Sequence, residues 1–164
     1  RTIRIGWVGN SKWQVRDLKG INTVIKPAID QLIGEGYNVE LVTSDRNDRM
    51  IPHEKMPGYY SQIDLYVCAS LSEGTPNPVL ESMACGVPVI STRCKGPESF
   101  LNDDCAEFCN VHDPKDMEDA ILRMAARSDT LDEAKIRAAA KPFDSVAVAE
   151  HAVQIYREAL ENTK

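Results

Sequence analysis

The stretch from Leu65 to Thr92 restricts the fold more than any other part of the chain. A short apolar run, Leu65 to Ala69, leads into a polar loop, a helical segment follows, and a second apolar run, Val87 to Ile90, closes the unit. The order is strand, loop, helix, strand, the repeating unit of a parallel sheet. Asn77 has a capping side chain and Pro78 suits the first helical position, where a missing N–H is no loss, so Glu81 is expected in the first helical turn. Glu73 stays in the loop. Both carboxylates then crowd the carboxyl edge of the sheet, where open α/β folds bind ligands and where a helix N-terminus attracts anions. Such a place suits a phosphorylated, hydroxyl-rich ligand.

The same alternation extends along the chain. Ile3 to Gly9 reads as a first strand, followed by a polar loop to Gly20. Ile21, Val24, Ile25, Ala28, Ile29, Leu32 and Ile33 repeat at three and four, a helix stripe that stops at Gly34 and Gly36. Pro27 interrupts it, so this helix either starts late, near Asn22 or Thr23, or bends. Val39 to Thr43 is a second strand, residues 44–55 are a loop with a vestigial strand at Met50 and Ile51, and a short helix is expected over Met56 to Gln62. Beyond the central unit come strands over Pro88 to Thr92 and near Ala106 to Val111. Three helices follow: one from Asp113-Pro114, one from about Leu131 and one from near Asp144. The last carries Val146, Ala149, Val153, Tyr156 and Leu160 on one face, read as core contacts. The predicted fold is α/β, a doubly wound, Rossmann-like parallel sheet with helices on both faces and carboxyl-terminal helices.

At 164 residues the chain is one domain's worth, and 43% hydrophobic with 27% charged residues describes an ordinary globular protein. No apolar run reaches the length of a membrane span. A net charge of −6 argues against a nucleic-acid partner. Residues 1–49 nonetheless carry net +2 against −8 for the remainder, so an anionic ligand is expected to meet the amino-terminal third, unless the imbalance is surface scatter. Cys68, Cys85, Cys94, Cys105 and Cys109 form no C-x-x-C pair, and read as buried small hydrophobes in a reducing, cytoplasmic setting. His53, His112 and His151 stand in no motif and are assigned no chemistry. Arg1 in place of Met, with a strand two residues on, suggests a piece of something longer.

Two glutamates eight apart mean little among 25 acidic residues, but their context is specific. The run from Ser70 to Ile90, SLSEGTPNPVLESMACGVPVI, resembles the signature of retaining glycosyltransferases of family 4, which have the GT-B architecture. The resemblance implies that Glu73 lies against the transferred sugar, as the residue closest to catalysis, and that Glu81 binds the ribose hydroxyls of a nucleotide sugar donor. A carboxylate accepts two hydrogen bonds at once and so matches a vicinal diol. For Glu81 alone, a helix-start glutamate favoured by the helix dipole is the plainer reading. Trp7-Val8-Gly9, Lys19-Gly20 and the Tyr59 to Asp64 segment extend the resemblance over nearly the whole chain. They imply donor binding by Gly9 and by Lys19, which is otherwise a solvated loop lysine. Asn10 occupies a position where the family usually has a phosphate-binding arginine, so Lys12 or Arg16 is expected to substitute. Pro76 and Pro78 lack N–H groups, which leaves Gly74, Thr75, Asn77 and Val79 as backbone donors for phosphate or sugar oxygens.

The resemblance implies the donor-binding, carboxyl-terminal domain of a hexosyltransferase-like enzyme of polysaccharide or glycoconjugate biosynthesis. Its expected partners are a nucleotide sugar and an amino-terminal acceptor domain, with peripheral membrane association of the full-length protein. The fragment alone is expected to be inactive. No Asp-x-Asp motif occurs, and neither metal nor cofactor is expected. The alternatives are a nucleotide-binding regulatory module without turnover, or a related sugar-nucleotide epimerase or phosphorylase.

Overall fold

The computed structural model describes residues 1–12 and 16–161. Five strands form one all-parallel sheet: β1 (Ile3–Gly9), β2 (Val39–Asp45), β3 (Leu65–Cys68), β4 (Val89–Thr92) and β5 (Ala106–Cys109), in the order β2-β1-β3-β4-β5. Helices cover both faces: α1 (Lys26–Gly34), α2 (Met56–Tyr60), α3 (Asn77–Ala84), α4 (Pro114–Arg127), α5 (Glu133–Ala140) and α6 (Ser145–Glu161). The doubly wound Rossmann-like expectation holds.

Because side chains alternate along a strand, each strand feeds two cores. Leu65 and Val67 of β3 pack with Ile5, Ile29, Ile121 and Met124 under α1 and α4. Their neighbours Tyr66 and Cys68 pack with Tyr60, Val79, Met83 and Ile136 under α2, α3 and α5. Burial on both faces explains why these strands read as unbroken apolar runs.

Four local expectations need correction. The first helix does start late, but at Lys26 and not near Asn22 or Thr23: a wide turn over Ile21–Ile25 precedes α1, with Val24 and Ile25 N–H both donating to Gly20 O. That widening places Pro27 at the start of α1, where no N–H is required of it. Met50 and Ile51 form no strand; β2 instead runs on to Asp45, paired with Gly9 of β1. Asn77 does not cap α3 through its side chain. Pro76 O already accepts the Leu80 N–H at 3.3 Å, so the helix begins one residue early and Glu81 falls one turn in from the N-terminus. Finally, α6 buries no residue: Val146, Ala149, Val153, Tyr156 and Leu160 are all exposed. Its periodicity is real, but no element among the described residues packs on that stripe.

Candidate functional site

Leaving β1, the chain crosses to β2 on one side and returns to β3 on the other. The loops that follow β1 and β3 therefore part in opposite directions at the carboxyl edge, opening the crevice where doubly wound sheets bind ligands. Lys19 belongs to the first loop and Glu73 to the second, and Lys19 Nζ is ion-paired with Glu73 Oε1 across the crevice. Gly20 permits this approach. It adopts φ +66°, and a Cβ there would stand 2.3 Å from Ala69 O. The Leu71 N–H donates to Leu18 O at 3.0 Å and ties the two loops together.

Glu73 is held through both backbone and side chain. Its N–H donates to Cys94 O and its carbonyl accepts from Gly96 N–H, each at 3.0 Å. Gly96 lies so close that a Cβ on it would sit 1.6 Å from Gly74 O. The buried Ser70 hydroxyl donates to Glu73 Oε1 at 2.6 Å, while Thr92 Oγ1 donates to Ser70 O, also at 2.6 Å. Ser70 and Lys19 together fix one carboxylate oxygen and leave Oε2 without a partner among the described residues.

Glu81, on α3, accepts from Tyr60 OH at 2.9 Å, and its Oε1 lies 3.9 Å from His53 Nδ1. Burial first, then the neighbouring Glu81 charge, drive the Tyr60 pKa far above the usual tyrosine value, so its hydroxyl remains a donor. Glu81 borders a cavity of about 440 Å³ with Val8, Gly9, Asn10, Lys19, Arg46 and His53 among its other wall residues. A larger hollow beyond α3, near Arg137 and Lys141, shares His53, Asn77 and Glu81. The first is the candidate site, because it holds the β1 turn and Lys19 at the carboxyl edge.

The structure thus brings Gly9, Asn10, Lys19, Asn77 and Glu81 to one cavity, with Glu73 bound to Lys19. Arg16 is exposed and not in its wall. Gly74 and Thr75 lie on the exposed loop, and their N–H groups have no partner among the described residues. Val79 sits in the core with its N–H donated to Pro76 O at 3.1 Å, so its backbone donor is spent. Ser70, Tyr60, Arg46 and His53 are unassigned by sequence reasoning. Tyr60 reaches Glu81 from α2, whereas Ser70 shares the loop of Glu73; Arg46 and His53 stand between β2 and α2 without a recognisable motif.

Family comparison bears directly on this arrangement. The glycosyl transferases group 1 model matches residues 3–127, which include all five strands and both glutamates. The chain belongs to that family. Among curated relatives, it is 27% identical over 123 residues to protein CapJ of Staphylococcus aureus, covering 62% of this chain and 30% of CapJ. It is 32% identical over 79 residues to D-inositol 3-phosphate glycosyltransferase of Corynebacterium jeikeium, covering 48% of this chain and 19% of that enzyme. Among solved structures, sucrose-phosphate synthase of Thermosynechococcus elongatus superimposes with a TM-score of 0.65 at 26% identity, over 96% of this chain and 38% of that one. The carboxyl-terminal domain of a group 1 glycosyl transferase from Francisella tularensis shares the fold, with a TM-score of 0.62 at 22% identity over 84% of this chain and 82% of that domain. The chain spans less than a third of the length of these two curated relatives. Among the described residues no helix is long and apolar enough to cross a membrane.

Proposed function

We propose that the cavity binds a nucleotide diphosphate sugar, and that this chain is the donor-binding domain of a retaining, GT-B type glycosyltransferase whose acceptor domain is another part of a longer protein. The observation that carries this reading is the Lys19–Glu73 contact across the crevice, beside a cavity whose wall also holds Glu81. A cation, a carboxylate with one free oxygen and a second carboxylate match the three parts of such a donor: diphosphate, sugar and ribose.

The transfer breaks the bond between the anomeric carbon and the diphosphate oxygen, and its electron pair departs with that oxygen. The acceptor hydroxyl oxygen bonds to the anomeric carbon on the same face, and its proton passes to the departing diphosphate. Little covalent work falls to the protein, so catalysis is positioning and charge stabilisation. Lys19 exchanges Glu73 for the diphosphate as the donor enters. Glu73, still oriented by Ser70, then accepts from sugar hydroxyls, while Glu81 accepts from the ribose. Glu73 is no acid in this scheme, because paired-carboxylate hydrolysis needs both groups flanking one bond.

Calorimetric titration with UDP and GDP, and with UDP-glucose and GDP-mannose, tests the scheme. Glu81→Gln is expected to weaken nucleotide and nucleotide sugar alike by about 1–3 kcal/mol. Glu73→Gln leaves the bare nucleotide unchanged or slightly tighter, since Lys19 is released, and weakens only the sugar-dependent part. Equal losses on both ligands for Glu73→Gln would overturn the division of roles.

A further inference from the structure

We infer that Arg46 joins Lys19 in holding the nucleotide's phosphates and is the cation free to meet them first; the inference rests on the nucleotide-binding reading above. Two permanent cations stand in the cavity wall, Lys19 and Arg46. They are not equivalent. Lys19 is already neutralised by Glu73, whereas the Arg46 side chain has no ion pair, hydrogen bond or ring contact among the described residues. Trp13, Gln14 and Val15, which lie outside those residues, carry no charge.

The Arg46 backbone is nevertheless anchored. Its N–H donates to Gly9 O at 3.1 Å, which seats it directly beside the turn that leaves β1. The preceding Asp45 spends its carboxylate on the Ser11 and Asn47 N–H groups, at 3.1 and 3.0 Å, rather than on the guanidinium. Asn10, in the same wall, is uncharged, and its side-chain oxygen is occupied by Asn47 Nδ2 and the Lys12 N–H. Lys12 and Arg16 are exposed and do not line the cavity. An anchored backbone and an uncommitted guanidinium, on a residue of the cavity wall, favour bidentate contact with phosphate oxygens. The cation comes from the end of β2, not from the loop after β1.

Titration of the chain with uridine, guanosine, UDP and GDP at low and high salt tests the assignment, comparing wild type with Arg46→Ala, Arg46→Lys and Lys12→Ala. Because Arg46 is exposed, its variants are expected to fold, and thermal melting verifies that. Arg46→Ala should lose about tenfold or more in diphosphate affinity, the usual effect of deleting one charge-assisted bond, with nucleoside affinity unchanged. The deficit should shrink as salt screens the contact. Arg46→Lys should recover only part of it, since an ammonium lacks the planar fork, and Lys12→Ala should match wild type. If wild type binds UDP or GDP and Arg46→Ala binds it equally well, this assignment fails while the nucleotide reading survives. Equal losses for nucleoside and diphosphate would move Arg46 to the base and overturn the inference. If wild type binds neither diphosphate, the nucleotide reading and this inference fall together.

Discussion

Lys19 meets Glu73 only because the residue after it has no side chain. Gly20 holds a left-handed conformation with Ala69 O where a Cβ would be, so Gly20→Ala must both strain the backbone and push the two loops apart. The expected cost is about 1–3 kcal/mol, read as a lower urea midpoint, with nucleotide affinity falling at the same time. A loss of stability without loss of affinity would mean the loop contact does not shape the site. Asp45 is the second residue on which the crevice depends. Burial alone would raise its pKa, but the hydrogen bonds from Ser11 and Asn47 outweigh that and hold it below 3.8. A depressed folded value means stability that is present above the unfolded pKa and lost as pH falls through the folded one. The stability gap between wild type and Asp45→Asn should therefore be widest above about pH 4 and narrow below it. Urea midpoints at pH 5 and pH 3 measure this, and a gap of constant size would show that the charge does not hold the turn.

Among the elements, α4 displays sequence logic most plainly. Asp113 accepts the Asp116 N–H at 3.0 Å and Pro114 fills the first helical position, as the Asp-Pro pair predicts. Asp113→Ala is expected to cost about 1 kcal/mol of stability. A melting temperature equal to wild type would show that the cap contributes nothing. The start of α3 obeyed a different influence. Asn77 has the right chemistry for a cap, yet the helix ladder reaches back to Pro76 O, and Glu81 lies one residue deeper in the helix, where it accepts from Tyr60 OH. Glu81 is therefore oriented by a tyrosine from α2 instead of by the helix terminus.

On the scale of the molecule, the parallel sheet carries two closed cores, while α6 adds an amphipathic helix that buries nothing. Removing residues 145–161 is expected to change the unfolding free energy of the remainder by less than about 1 kcal/mol, because exposed contacts of this kind are worth little. A large drop in melting temperature would reveal packing by α6. Much of the architecture was legible beforehand: five apolar runs, the helices between them, the Asp113 cap and the Glu73 to Glu81 run all depend on local periodicity and backbone chemistry. Gly9, Asn10, Lys19, Asn77 and Glu81, named from the sequence, do line one cavity. The sequence could not decide which cation is already paired, that Tyr60 holds Glu81, or that the stripe on α6 faces outward. A helical stripe states that a face is apolar but not what covers it, and a lysine's charge is free or spent according to a carboxylate 54 residues away. Those outcomes follow from strand order and loop contacts between distant segments, which only the folded sheet brings together.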